Sequence, residues 1–373
     1  MYQNIRAIGA AVALASSLWS GSAPAATQVK HVFVVVLENE DFGNSFAADS
    51  PAPYLAKTLT AQGAFLTNYY GIGHVSLDNY IAMISGQWPN PVTQSDCQIF
   101  QQFVGLPGPP NGLAEGAGCV YPFHVNTLPR QLTNRGMSWK GYMEDMGNDL
   151  ARDGSATCSH PKINTQDKTQ SATATDSYAT RHNPFVYFHS IIDDQAYCDA
   201  RVVNLNKLPA DLASVATTPN FVFITPSLCH DGHDAPCASG EPGGLVSADQ
   251  FLKLWVPRIL SSPAFQQDGL LIVTFDESSG PQSDSSACCN GPLRTALLPG
   301  ITGPGGGRVG AVALSPFIRP GTVTTVPYNH YSMLRSLEDL FGLTYIGIAR
   351  DKNLTSFGRD VFSAAMPVFP PKP

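Results

Sequence analysis

The sequence predicts a layered α/β domain, and three observations carry that prediction. First, four apolar runs, 31–37 (HVFVVVL), 220–224 (NFVFI), 270–275 (LLIVTF) and 311–315 (AVALS), lack the polar alternation of a half-exposed strand. Such runs suit a parallel sheet covered on both faces. Second, stretches with helical character lie between and around them, at 53–62, 79–84, 128–135, 247–260 and 331–341. The last carries Leu334, Leu337, Leu340 and Phe341 at helical spacing and stops at Gly342. Third, strands and helices interleave along the chain, as layered α/β architectures require.

Taken in order, the chain opens on a segment that reads as an export signal. Arg6 supplies a short basic region, 8–19 is apolar but too short to span a bilayer, and Ala23-Pro24-Ala25 fits a cleavage site. Residues 1–25 are therefore expected to be removed, with a retained membrane anchor as the alternative. No later segment reaches about 18 uninterrupted apolar residues, so no transmembrane span is expected in the mature chain. The expected destination is the periplasm or the exterior. Residues 26–373 read as one domain, with Pro/Gly/Ser-rich excursions at 105–118, 153–176 and 278–307.

Eight cysteines, at 97, 119, 158, 198, 229, 237, 288 and 289, agree with export. None forms a CxxC pair, which weakens a structural zinc reading. Bridged, Cys229 and Cys237 would pin the loop between them. Cys288 and Cys289 are adjacent, and each is expected to find a distant partner rather than its neighbour. The formal charge is −7 and no dense Lys/Arg run exists, so nucleic-acid binding is not expected. An anionic substrate would need local neutralisation, for instance by a cation.

The strand ends carry the chemistry. The run 31–37 leads directly into Glu38-Asn39, 270–275 into Asp276-Glu277, and 220–229 into His230-Asp231-Gly232-His233-Asp234. Ligands of open α/β sheets gather at the carboxyl ends of strands. Carboxylates converging there repel one another unless a proton or cation intervenes. Oxygen ligands with imidazole nearby suit one divalent metal ion, of unspecified identity. Each piece alone also reads as a solvated turn or a titrating surface loop; their conjunction favours a site. The candidate nucleophile is Ser76, in GIGHVSLDNY at 71–80. A helix-like run follows it, so its hydroxyl would lie near a helix N-terminus, where an anion is favoured. A plain capping role is the competing reading. His74 and Asn79 flank the serine and can donate to a phosphate.

These motifs resemble a family of secreted bacterial and fungal acid phosphatases and phosphatidylcholine-type phospholipases C, within the alkaline-phosphatase-like superfamily. The resemblance rests on LEN at 37–39, GHVSLDNY at 73–80, RHNPFVYF at 181–188, HDGHD at 230–234 and TFDE at 274–277. It continues through ALSPFIRPG at 313–321 and NHYSMLRSLEDLFGL at 329–343. It implies an αβα sandwich with a mostly parallel central sheet and one active site. Glu38, Asn39, Asp276 and Glu277 would bind the metal, with Ser76 as a further ligand and the nucleophile. His182 and Asn79 would contact phosphate, and His233, oriented by Asp234, would act at the leaving group. The family's serine motif reads HPSxPNY, whereas Val75 and Asp78 stand here in place of its prolines. Asp78 is expected to add negative charge near the substrate. Position 230 is commonly Asn in the phosphatase branch but His here, and His330 precedes the last helix where relatives sometimes place a site histidine; both roles stay open. The implied activity is hydrolysis of small or lipid-borne phosphate monoesters through a phosphoserine. The alternatives are a phospholipase C or phosphodiesterase on the same scaffold, and a non-catalytic exported metal-binding protein.

Overall fold

A computed structural model describes Met1 and residues 29–289 and 299–363; the expected export signal lies outside the described residues. The centre is an eight-stranded sheet: β1 (His31–Leu37), β2 (Ala64–Leu66), β3 (Trp139–Met143), β4 (Val202–Asn204), β5 (Phe221–Thr225), β6 (Gly269–Phe275), β7 (Ala311–Leu314) and β8 (Thr322–Thr324). Their spatial order is β8-β2-β7-β6-β1-β5-β3-β4. Strands β1, β5 and β6 are buried along their whole length, as runs of β-branched and aromatic residues without polar alternation require.

Neighbours pair in parallel except at β7, which runs antiparallel to both β6 and β2. This corrects the expectation that 311–315 joins the parallel set. Among the described residues no helix crosses over between β6 and β7, so the chain re-enters the sheet from the edge at which it left. A parallel neighbour would have needed a crossover.

The helices that matter here are α1 (Ser76–Ser85), α2 (Leu128–Asn134), α3 (Gly244–Leu260), α4 (Pro263–Asp268) and α5 (His330–Phe341). All ten residues of α1 are buried, and the helix stops where Gly86 turns left-handed at φ 64°. The expected helix over 53–62 winds mostly as a π-helix, Tyr54–Leu59.

Four disulfides join Cys97–Cys119, Cys158–Cys198, Cys229–Cys237 and Cys288–Cys289. The last corrects the expectation of distant partners. The other six cysteines pair among themselves, so the adjacent thiols have only each other. Among the described residues no helix is long and apolar enough to cross a membrane.

Candidate active site

The pairing of β1 with β6 places the site. Leu37 lies opposite Phe275 at the end of that parallel pair, so Glu38 and Asp276 leave the sheet side by side. The Asp276 amide donates to the Leu37 carbonyl at 2.9 Å, and the Glu38 amide to the Asp231 carbonyl at 2.8 Å. Asn39 then turns left-handed at φ 46°, a conformation asparagine tolerates better than most residues. That turn aims its own amide at Asp276 Oδ1, 3.1 Å away.

Ser76 is the first residue of α1, and its Oγ donates to Glu38 Oε2 at 2.8 Å. The Tyr80 hydroxyl, one turn on, donates to Glu38 Oε1. The expected nucleophile thus touches a carboxylate delivered by β1. Asn79 lies in the same turn, but its side chain points back along the helix, as helical side chains do. Its Oδ1 accepts from the Ile72 and Gly73 amides at 2.7 and 3.3 Å, and its Nδ2 donates to the Gly73 and Val75 carbonyls. It braces the loop in front of Ser76.

His182 is buried and stacked on Tyr80, with ring centroids 5.3 Å apart. Its Nε2 lies 3.3 Å from Glu38 Oε2 and its Nδ1 3.6 Å from Asp231 Oδ2. Burial, reinforced by Arg181 and His233, pushes its pKa well below the usual range, which favours the neutral ring. His233 is half-exposed; its Nδ1 meets Asp234 Oδ1 at 2.8 Å, and that bond raises its pKa. Its loop is closed by the Cys229–Cys237 bridge. Beside it opens a groove of about 640 Å³, bordered by Glu40, Asn44, Ala47, Ala235 and Leu245.

Glu277 departs from the expected ligand cluster. Successive residues leaving a strand point to opposite sides, so Asp276 faces Glu38 while the Glu277 carboxylate turns to His74, 2.7 Å from its Nδ1. Asp78 also differs from expectation. It is buried, and burial, with Asp96 and Asp276 adding to it, drives its carboxyl well above the usual range, which disfavours the added negative charge.

The two open histidines acquire places. His330 heads α5 fully buried; its Nε2 donates to the Asp276 carbonyl at 2.6 Å, and Tyr69 donates to its Nδ1 at 3.1 Å. It stands behind Asp276, and burial lowers its pKa to about 4. His230 bridges Glu144 at 3.0 Å and Glu241 at 3.3 Å, and the Glu144 hydrogen bond raises its pKa to about 9. Its unfolded value is about 6.5. The bridge is therefore fully present below about pH 6.5 and is lost as pH rises through about 9. Replacing His230 with Gln should lower the melting temperature by a few degrees at pH 6, reflecting about 1–2 kcal/mol once solvent screening of this partly exposed bridge is discounted, and by almost nothing at pH 10. Thermal melts of both proteins across that range check this; a constant difference would remove the bridge as its cause.

Two side chains that the sequence motifs do not single out lie beside these residues. Asp231 sits inside HDGHD, where the flanking histidines drew the attention. It is fully buried, accepts from the His233 amide at 2.9 Å through Oδ1, and leaves Oδ2 without a hydrogen bond among the described residues. Arg181 adjoins His182 in the RHN motif.

An implied metal ion can be tested against these residues. Glu38 and Asp276 are buried, and burial together with neighbouring carboxylates raises the pKa of Glu38; burial raises that of Asp276 to about 6. Asp276 Oδ2 has no hydrogen-bond partner among the described residues. One atom of the Asn39 side-chain amide lies 3.1 Å from Glu38 Oε2 and 3.3 Å from Asp276 Oδ1. With nitrogen there, the amide donates to both; with oxygen there, three oxygens face one point and call for a cation. The residues fit a hard divalent ion held by Glu38, Asn39, Asp276 and Ser76 Oγ. Among the described residues, three His, Cys, Asp or Glu ligand atoms fall within 4.8 Å of one another at Cys229, His230 and Glu241. Cys229 is disulfide-bonded, so that trio lacks its thiolate.

The fold is similar to that of a solved protein described as belonging to the alkaline phosphatase superfamily. The structure matches a member of that superfamily from Vibrio parahaemolyticus with a TM-score of 0.52 at 13% identity, covering 90% of this chain and 72% of that one. The chain belongs to the Phosphoesterase family, whose model matches residues 48–344. It is 25% identical over 315 residues to an acid phosphatase of Aspergillus fumigatus, covering 84% of this chain and 55% of that protein. The chain thus spans little more than half the length of this fungal relative. It is 24% identical over 359 residues to a phosphatidylinositol-3-phosphatase of Mycobacterium tuberculosis, covering 94% of this chain and 91% of that protein.

Proposed function

We propose that this protein hydrolyses phosphate monoesters, small or lipid-borne, through a phosphoserine at Ser76. The observation that carries the proposal is the 2.8 Å hydrogen bond from Ser76 Oγ to buried Glu38 Oε2 at the start of α1. A serine hydroxyl becomes a nucleophile when a neighbouring base takes its proton or a bound cation lowers its pKa. Family membership and the acid phosphatase relatives support the reaction class. The mycobacterial relative, matched over nearly its whole length, supports a lipid-borne monoester.

In this reading Glu38, Asn39 and Asp276 would hold a divalent cation with Ser76 Oγ, and Glu277 would join them only by leaving His74. When bound, the ion lowers the pKa of the serine hydroxyl and offsets charge on the phosphoryl group. The remaining work falls to the chain. Ser76 Oγ passes its proton to Glu38 Oε2 and attacks phosphorus in line, breaking the bond to the alcohol oxygen, while the first turn of α1 adds its positive end to the field around the phosphoryl oxygens. Neutral His182 donates one ring N–H to a phosphoryl oxygen. Asn79 Nδ2 donates to another by giving up one of its two carbonyl bonds. His233, kept protonated by Asp234, gives its proton to the departing alcohol, whose body occupies the groove beside Glu40. Water then gives a proton to His233 and attacks phosphorus along the same line, and the Ser76 Oγ–phosphorus bond breaks as Oγ takes its proton back from Glu38. The four disulfides favour an oxidising compartment, consistent with export through residues 1–25.

Acid quench during turnover of 32P-labelled p-nitrophenyl phosphate, followed by peptide mapping, should place label on Ser76. Parallel rates on p-nitrophenyl phosphate, its bis ester, phosphatidylcholine and phosphatidylinositol 3-phosphate vesicles should favour the monoesters by at least about tenfold. Faster turnover of the diesters would move the assignment to a phosphodiesterase. Label on another residue would overturn the serine mechanism.

A further inference from the structure

We infer that Arg181 is a phosphate-binding residue of this site, held ready for the substrate by Asp96; the inference rests on the phosphoesterase reading above. Arg181 immediately precedes His182 in the short turn Thr180–His182, which packs on α1. Its Nη1 donates to the Gln170 carbonyl at 3.2 Å, and its Nε lies 3.7 Å from Asp96 Oδ2. Asp96 Oδ1 in turn accepts from the Leu77 amide at 3.0 Å. A single carboxylate therefore spans from the guanidinium to the residue next to the nucleophile. Gln170 closes the frame from the other side, donating through Nε2 to the Asp96 carbonyl at 3.0 Å and to Asp167 Oδ2 at 2.9 Å.

This frame fixes Arg181 without using its full capacity. A guanidinium has five N–H donors in a planar fork, and among the described residues Nη1 makes its one hydrogen bond, to Gln170. Asp96 at 3.7 Å is beyond hydrogen-bond length, a counter-ion rather than a bidentate partner. Burial alone would weaken the charge of Arg181, but Asp96, Glu38 and Asp231 outweigh it and keep the group protonated. Glu38 and Asp231 are also the carboxylates nearest to His182, so Arg181 shares the field of the reacting centre.

The chemistry needs such a group. A phosphate monoester brings two negative charges into a pocket already holding buried carboxylates, and a single divalent cation there is committed to Glu38 and Asp276. A planar cation matches phosphoryl oxygens two at a time. Asp96 occupies an anion position between Arg181 and the head of α1, and an arriving phosphate would compete with it for the guanidinium. Replacing Asp96 should therefore tighten phosphate binding, whereas replacing Arg181 should weaken it.

The test is calorimetric titration of metal-loaded protein with inorganic phosphate, alongside kcat and KM on p-nitrophenyl phosphate. Arg181→Met should raise the phosphate Kd by about 10–100-fold with cation affinity within about twofold of wild type. Asp96→Asn, which keeps the acceptor for Leu77, should lower that Kd several-fold. A folded Arg181→Met protein that binds phosphate within about threefold of wild type would overturn the inference. If Arg181→Met does not fold, Arg181→Lys decides: it keeps the charge but loses the fork, so several-fold weaker phosphate binding supports the role and unchanged binding overturns it. Wild-type protein that binds no phosphate at all would instead bring down the phosphoesterase reading, and this inference with it.

Discussion

Ser76→Ala is expected to lower kcat on p-nitrophenyl phosphate by about 10⁴-fold or more, with the folded state retained. Removing a nucleophile leaves only the binding and electrostatic contributions of the site. The fold should survive because the change is small: Ser76 contributes one hydroxyl, bonded to Glu38. Its loss leaves Glu38 Oε2 with one fewer donor, a cost of about 1–3 kcal/mol for a buried acceptor. In the cation-free protein the Asn39 amide nitrogen, when turned to lie 3.1 Å from the same oxygen, offsets part of that cost. Inorganic phosphate should still bind, since His182 and Arg181 are untouched. Steady-state rates, a thermal melt and phosphate titration on one preparation read all three quantities. Retention of more than about a tenth of wild-type activity would mean that another group attacks phosphorus and that the chemistry lies away from Ser76.

What the sequence made legible follows from how local the signals were. Strand β1 was readable to the residue because the six apolar residues after His31, most of them β-branched, end abruptly at Glu38. Strand β6 was nearly so, and the parallel pairing of the two brought Glu38 and Asp276 together as expected. Helix α5 was readable because its spacing and its glycine stop are both local. Strands β2, β3 and β4 were not, since each has at most five residues and is a strand only because neighbours cover it. In β3, Gly141 exists for a partner distant in sequence: a Cβ there would lie 2.4 Å from the Phe185 ring.

Within the site, the limits were directional. Adjacent residues after a strand diverge, so TFDE could not tell that Asp276 would face Ser76 while Glu277 faced His74. The same alternation hid Asp231 between two more conspicuous histidines. Arg181 was hidden differently, because its partner Asp96 lies 85 positions away, just before the first cysteine of the Cys97–Cys119 bridge, in a stretch that no motif announces.

Asp276→Asn should separate the two things that the carboxylate does. The substitution keeps an oxygen where Oδ1 now accepts from the Asn39 and Glu277 amides at 3.1 and 2.6 Å. It places an NH₂ group where Oδ2 lacks a hydrogen-bond partner among the described residues. In the cation-free protein, one of several mutually repelling buried carboxylates is thereby neutralised, so the melting temperature should rise. In the cation-bound protein the order reverses. A charged ligand is gone, and divalent affinity should fall by more than the roughly 10–100-fold that outer partners of a metal site cost. Cation at a hundred times its wild-type Kd stabilises the native state by about 2.7 kcal/mol, and the variant should lose most of that increment. Melts of both proteins, stripped with chelator and then titrated with Ca²⁺, Mg²⁺, Mn²⁺ or Zn²⁺, give four curves whose crossing is the signature. If the variant were less stable without cation and gained as much from it as wild type, Asp276 would be a structural acceptor for Asn39 and Glu277, and the cation would have to be held elsewhere.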